Sequence, residues 1–213
     1  MKEKTKLIFD ELFNRFPELN SIETAVLSAF NMIKSVFEQG GKLIVCGNGG
    51  SAADSEHIVG ELMKKFRKPR PIRKEIYDRL SDYGDNGRIL QNYLEGSLRA
   101  VSLTSHIALS TAFANDREPS VAYAQQLYGL ADGSDVLLAI STSGNSKNCV
   151  FAMTVAKAMG LKTIALTGQD KSALSDMADI TIRVPENETY KVQELHLPVY
   201  HCLCAMIEEE LFE

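Results

Sequence analysis

The sequence predicts a doubly wound α/β domain, a mostly parallel sheet flanked by helices, and three observations carry that prediction. Short, continuous apolar runs of the kind found in strands buried on both faces alternate with segments of helical period. Two of these runs end in turns crowded with Gly and Ser. The composition, 45% hydrophobic and 24% charged over 213 residues, supplies a buried core and suits one domain spanning 1–213 better than two.

The first forty residues read as two helices. The second starts at Asn20 as N-cap, with Glu23 three residues on, and carries Ile22, Val26, Ala29, Phe30, Ile33 and Val36 on one stripe until Gly40 and Gly41 stop it. Lys42–Cys46 (KLIVC) is then a buried strand running into Gly47–Ser51, and Val136–Ile140 (VLLAI) repeats the unit before Ser141–Gly144. A helix over 148–159, a strand over 163–166 and a strand over 180–184 follow, with Gly160, Gly168 and Pro185 as punctuation. The last stretch, 190–210, is helical, with Val192, Leu195, Val199, Leu203, Met206 and Ile207 as its stripe. Strands alternating with helices imply right-handed crossovers and helices on both faces. Residues 67–98, charged and Pro-punctuated, interrupt the pattern and read as an insertion before a strand at 100–103, with short helices near 74–83 and 88–94. Its cluster Arg67, Lys68, Arg70, Arg73 and Lys74 reads as a solvated charged surface.

Composition excludes several classes of function. A net charge of −5 lacks the basic footprint of a protein that coats nucleic acid or an anionic membrane. No apolar run approaches the ~20 residues of a membrane span. The N-terminus mixes charge with apolar residues at helical spacing, unlike a secretory signal, which leaves the cytoplasm as the expected compartment. Cys46, Cys149, Cys202 and Cys204 form no CxxC pair and read as small core residues.

The chemistry is expected at the strand ends, where open parallel sheets bind ligands. In CGNGGSAADSEH, the glycines let backbone approach a ligand, Ser51 is placed to cap the next helix, and that helix offers free N–H donors to an anion. In ISTSGNS, the hydroxyls of Ser141, Thr142, Ser143 and Ser146 surround a second such turn. Either turn alone reads as ordinary capping chemistry, whereas the two on matched strands point to a phosphate site. GNGGSAAD lacks the dinucleotide G-x-G-x-x-G spacing, and a Walker lysine is absent.

These residues, with HxxxE on the helix after CGNGGS, a later ANDR, LLAISTSGNS, TIALTG and a terminal VQELH, resemble a sugar isomerase (SIS) domain of the phosphoheptose isomerase type. The resemblance spans the chain outside 67–98. It implies a flavodoxin-like sheet, with N- and C-terminal helices that pack a homotetramer whose sites lie at subunit interfaces. The implied substrate is a ketose phosphate such as sedoheptulose 7-phosphate. It further implies a zinc ion on His57, Glu61, Gln193 and His201, and sugar contacts from Asn48, Gly49, Gly50, Asn115 and Asp116; Asp116 fits a loop cap equally well.

The residues support part of this directly. His57 and Glu61 are four apart, so they share a helix face and can hold one ion or one substrate. Two imidazoles with oxygen ligands suit zinc. Ketose–aldose interconversion moves a proton between C1 and C2 through an enediol and so needs a base and an acid, which the resemblance implies are Glu61 and His201. Gln193 and His201 lie eight residues apart, about 12 Å on one straight helix, which requires a helix start near 193 or a neighbouring subunit; His196 is a rival ligand. Lys65 and Tyr190 depart from the family pattern, which has arginine and aspartate at those positions. His106 reads as structural. Two other functions stay open: a non-catalytic sugar-phosphate-binding regulator that associates with a replication initiator, and an isomerase of another phosphosugar. Retention of His201 with Glu61 favours the enzyme.

Overall fold

The computed structural model describes residues 1–212. Five strands, β1 (Leu43–Cys46), β2 (Ala100–Ser102), β3 (Val136–Ser141), β4 (Lys162–Thr167) and β5 (Ile180–Arg183), form one sheet of order β2-β1-β3-β4-β5. All four pairings are parallel, so the sheet is uniformly parallel where a mostly parallel one was expected. Successive residues of a strand face opposite sides. Leu43, Val45, Val136, Leu138 and Ile140 therefore join one apolar cluster, while Ile44, Cys46, Leu137 and Ala139 join the other. The first cluster is closed by α1 (Glu3–Arg15), α2 (Glu23–Glu38), α3 (Gly50–Met63) and α10 (Thr189–Leu211). The second is closed by α7 (Ala122–Leu130), α8 (Lys147–Ala158) and α9 (Ala173–Met177).

Asn20 is not the N-cap of α2. Pro17 starts a 3-10 turn through Ile22 that carries Asn20, and Ile22 precedes the helix without a side-chain cap. Ser51 is likewise inside α3, whose N-cap is Gly49 at φ +56, a left-handed backbone that glycine adopts without steric cost. All four cysteines are free and buried, and burial pushes the Cys202 and Cys204 thiols up to about 12.

Residues 67–98 divide in two. Arg70 is buried, contrary to the solvated reading, with its Nε 2.7 Å from Glu208 Oε1 on α10. Beyond it, α4 (Lys74–Leu80), a 3-10 turn (Ser81–Tyr83) and α5 (Gly84–Tyr93) form a hairpin in which only Gly87 is buried. Gly96 N–H donates to the Arg70 carbonyl at 2.7 Å and closes the hairpin at its base. α6 (Ile107–Asp116) follows β2, and His106 just before it bonds Gln126 of α7 at 2.8 Å, a structural link between the helices.

Candidate active site

The two Gly/Ser turns follow β1 and β3, adjacent strands at which the winding reverses, so the sheet brings them side by side. Asn48 and Asn148 tie them together through a reciprocal amide pair, each Nδ2 donating to the other's Oδ1 at 2.8 Å. The Tyr123 hydroxyl donates to the Gly47 carbonyl at 2.7 Å. Asn148 and Tyr123 carried no motif in the sequence; only the fold brings them to the turns. In the second turn, Ser141 and Ser146 hydroxyls meet at 3.0 Å and Asn145 N–H donates to Ser143 Oγ. Gly144 has φ +65, and a Cβ there would run into the Ser172 side chain, the N-cap of α9. Ser172 and the Asn145 Oδ1–Ala173 N–H bond thus hold the turn from behind.

His57 and Glu61 project from the same face of α3, and His201 of α10 closes on them. His57 Nε2 lies 3.2 Å from Glu61 Oε1 and 3.4 Å from His201 Nε2. Ligand atoms about 2.0–2.1 Å from a tetrahedral zinc stand about 3.3 Å apart, so both separations suit zinc ligands. Among the described residues, however, no three His, Cys, Asp or Glu side chains are placed so that together they could hold a metal ion. Burial lowers the His201 pKa, His57 lowers it further, and Glu61 opposes both. Behind His57, the Tyr200 hydroxyl lies 3.1 Å from Nδ1 and donates to Asp54 Oδ1 at 3.1 Å. Burial raises the Asp54 carboxyl, with the Tyr200 bond and then His57 acting against it.

Gln193 lies inside α10, not at or before its start, and its side-chain amide packs directly against Gly50, so that a Cβ there would push the amide aside. It therefore adjoins the first turn, and no hydrogen bond links it to the His57–Glu61–His201 group among the described residues. Pro198 sits between Gln193 and His201 within the helix and leaves the Glu194 carbonyl without its usual donor. His196 is no surface histidine. It is fully buried against the Thr167 backbone, neither ring nitrogen makes a hydrogen bond, and burial lowers its pKa to about 4. Asn115 and Asp116 end α6 in exposed positions, bonded to each other at 2.9 Å and to neither turn.

The SIS-domain family matches residues 98–206, just over half of the chain. A phosphoheptose isomerase of Akkermansia muciniphila is 32% identical over 199 residues, covering 93% of this chain and 92% of that protein. One from Shewanella baltica (strain OS155) is 33% identical over all of this chain and 97% of its own.

The chain belongs to the phosphoheptose isomerase family of SIS-domain proteins.

Solved phosphoheptose isomerases share its architecture. The Francisella tularensis structure aligns with TM-score 0.75 at 31% identity over 98% of this chain and 100% of that one. The Neisseria gonorrhoeae structure aligns at 0.74 and 28%, over 97% and 98%. At position 65, where the resemblance implied arginine, the Lys65 side chain pairs with Glu95. Its Nζ lies 3.6 Å from Glu95 Oε1, and its backbone N–H donates to the same carboxylate. Tyr190 is exposed on the first turn of α10.

Proposed function

We propose that this isomerase converts sedoheptulose 7-phosphate to D-glycero-D-manno-heptose 7-phosphate by enediol proton transfer. The observation that carries the reading is the meeting of His57, Glu61 and His201 on α3 and α10, in a chain whose two phosphate-type turns are paired through Asn48 and Asn148. The relatives named phosphoheptose isomerase support the substrate class.

The Ser51, Ser141, Thr142, Ser143 and Ser146 groups and the N-terminal N–H donors of α3 and α8 hold the phosphate, which fixes the sugar before reaction. Glu61 takes the proton from one of C1 and C2 and returns it to the other. His201 donates a proton to the sugar's carbonyl oxygen as the enediol forms and takes one from the neighbouring hydroxyl oxygen as the enediol collapses to the isomer. His57, Glu61 and His201 are the residues that would hold a zinc ion, while Gln193, the fourth residue implied, lies against Gly50 of the first turn. When bound, zinc would supply polarisation of the sugar's carbonyl and hydroxyl oxygens.

A homotetramer with sites at subunit interfaces completes the reading. It is supported by a groove of about 540 Å³ beside His201, lined by Leu12 and Phe16 near the N-terminus and by Phe66, Leu197 and Pro198. Among the described residues, no helix is long and apolar enough to cross a membrane.

The test is incubation with sedoheptulose 7-phosphate in heavy water, with and without zinc, following product and deuterium at C1 and C2 by NMR. The parent is expected to form aldoheptose phosphate. Glu61→Gln is expected to lose turnover by at least a hundredfold while still binding substrate. Parental turnover in Glu61→Gln removes Glu61 as the base.

A further inference from the structure

Tyr200 is among the largest fully buried side chains, yet its hydroxyl meets two polar groups of α3. Asp54 and His57 are three residues apart and so neighbours on that helix. The Tyr200 ring stands edge-on to the His57 ring at 5.5 Å, wedged where it touches both. The other Asp54 oxygen, Oδ2, is buried with no hydrogen-bond partner, so the bond from Tyr200 is the one that anchors this carboxylate.

Hydrogen counting gives the arrangement a direction. An ionised carboxylate has no proton to give, and a phenol has one. That proton goes to Asp54, so the Tyr200 oxygen faces His57 as an acceptor and Nδ1 must carry the imidazole hydrogen. Neutral imidazole in water prefers the opposite tautomer. The lone pair left on Nε2 then points at Glu61 Oε1 and His201 Nε2, 3.2 and 3.4 Å away. The bare Nε2 and the Glu61 carboxylate oxygen so placed repel one another until a cation or a proton comes between them, and the tautomer is what keeps Nε2 open to receive it.

We propose that Tyr200 and Asp54 form a relay that fixes the His57 tautomer, making Tyr200 a positioning residue for the isomerase site. The inference rests on His57 belonging to that site. Its test does not depend on turnover.

The tautomer is read by long-range 1H–15N correlation of the metal-free, 15N-labelled protein at about pH 8.5, above the usual imidazole range. The chain has four histidines, and single His→Gln variants assign them. His57 is expected as the Nδ1–H form. In Asp54→Ala, the freed hydroxyl is expected to donate to Nδ1 and invert His57 to the Nε2–H form. In Tyr200→Phe, the acceptor is gone and the Nε2–H form is expected to predominate. Zinc affinity, measured by competition with a chromophoric chelator, is expected to fall about 10- to 100-fold in Tyr200→Phe. An Nε2–H form in the parent, or an unchanged tautomer in the variants, overturns the relay. Should Tyr200→Phe not fold, Asp54→Ala on the half-exposed face decides alone. Absence of sugar-phosphate turnover with the Nδ1–H form present would refute the isomerase reading and leave the relay standing.

Discussion

Arg70 holds the end of the helix that carries His57 and Glu61. Its Nη1 and Nη2 donate to the Leu62 and Glu61 carbonyls at 2.7 and 2.8 Å, capping α3 where its last carbonyls lack partners. Its Nε is on Glu208, whose carboxylate also accepts from the Phe66 and Arg67 backbone N–H groups at 2.8 Å. Both side chains of the pair are at most 1% exposed, so neither charge has water to fall back on. Arg70→Ala strands Glu208 in the interior and is expected to cost about 3–5 kcal/mol in urea unfolding. The exposed Arg73–Glu75 pair nearby makes the control, and Glu75→Ala is expected to change stability by less than about 0.5 kcal/mol. Equal costs for the two variants would show that the Arg70 clamp contributes no more than a surface pair. Nothing in the local sequence separates Arg70 from its basic neighbours, because what buries it is Glu208, 138 residues away.

At the scale of elements, α1, α2 and α10 are joined through Glu210. Its carboxylate accepts from Lys2 N–H at 2.9 Å and Thr5 Oγ1 at 2.8 Å, with Lys34 Nζ at 3.3 Å. Burial alone would raise its pKa, but the Lys2, Thr5 and Lys34 bonds outweigh it and bring the group down to about 2. A carboxylate whose folded pKa is depressed contributes stability above its unfolded value, and the contribution disappears as pH falls through the folded one. The Glu210 share should therefore be constant above about pH 4.5 and be lost between there and about pH 2. Thermal unfolding of the parent and Glu210→Gln is expected to differ near pH 7 and to converge towards pH 2; a gap independent of pH would contradict this. The helices and strands themselves were legible because each has a strong period: the stripe from Val192 to Ile207 and the buried runs VLLAI and LIVC mark elements that burial also enforces. Helix starts were not. Asn20 and Ser51 have capping chemistry, but Pro17 and the left-handed Gly49 set the backbone there, and backbone conformation decides which residue is the cap.

At the scale of the molecule, the phosphate-type turns were legible because each is contiguous in sequence. The His57–Glu61 pair was legible from its spacing, His201 only through the family pattern, and Tyr200, Asp54 and Arg70 not at all, since their contacts arise where α3, the segment after it and α10 meet. The insertion shows the same dependence on packing. Its helices have seven and ten residues, too short to be stable alone, and they bury only Gly87, against the Leu80 carbonyl of the hairpin itself. Tyr77, Tyr83, Ile89 and Tyr93 stay exposed. The core clusters on the two faces of the sheet draw on none of residues 72–94. The body ends of the hairpin are already joined, because Gly96 N–H bonds the Arg70 carbonyl and Leu98 N–H the Leu62 carbonyl. Replacing 72–94 with a short Gly/Ser link should therefore leave the sheet, the clamp and the His57 group intact. A shorter closed loop loses less chain entropy on folding, so the deletion is expected to leave stability unchanged or raise it by about 1 kcal/mol. Urea unfolding and far-UV circular dichroism read the result. A deletion variant that fails to fold, or loses several kcal/mol, would show that the hairpin belongs to the folded core despite its exposure.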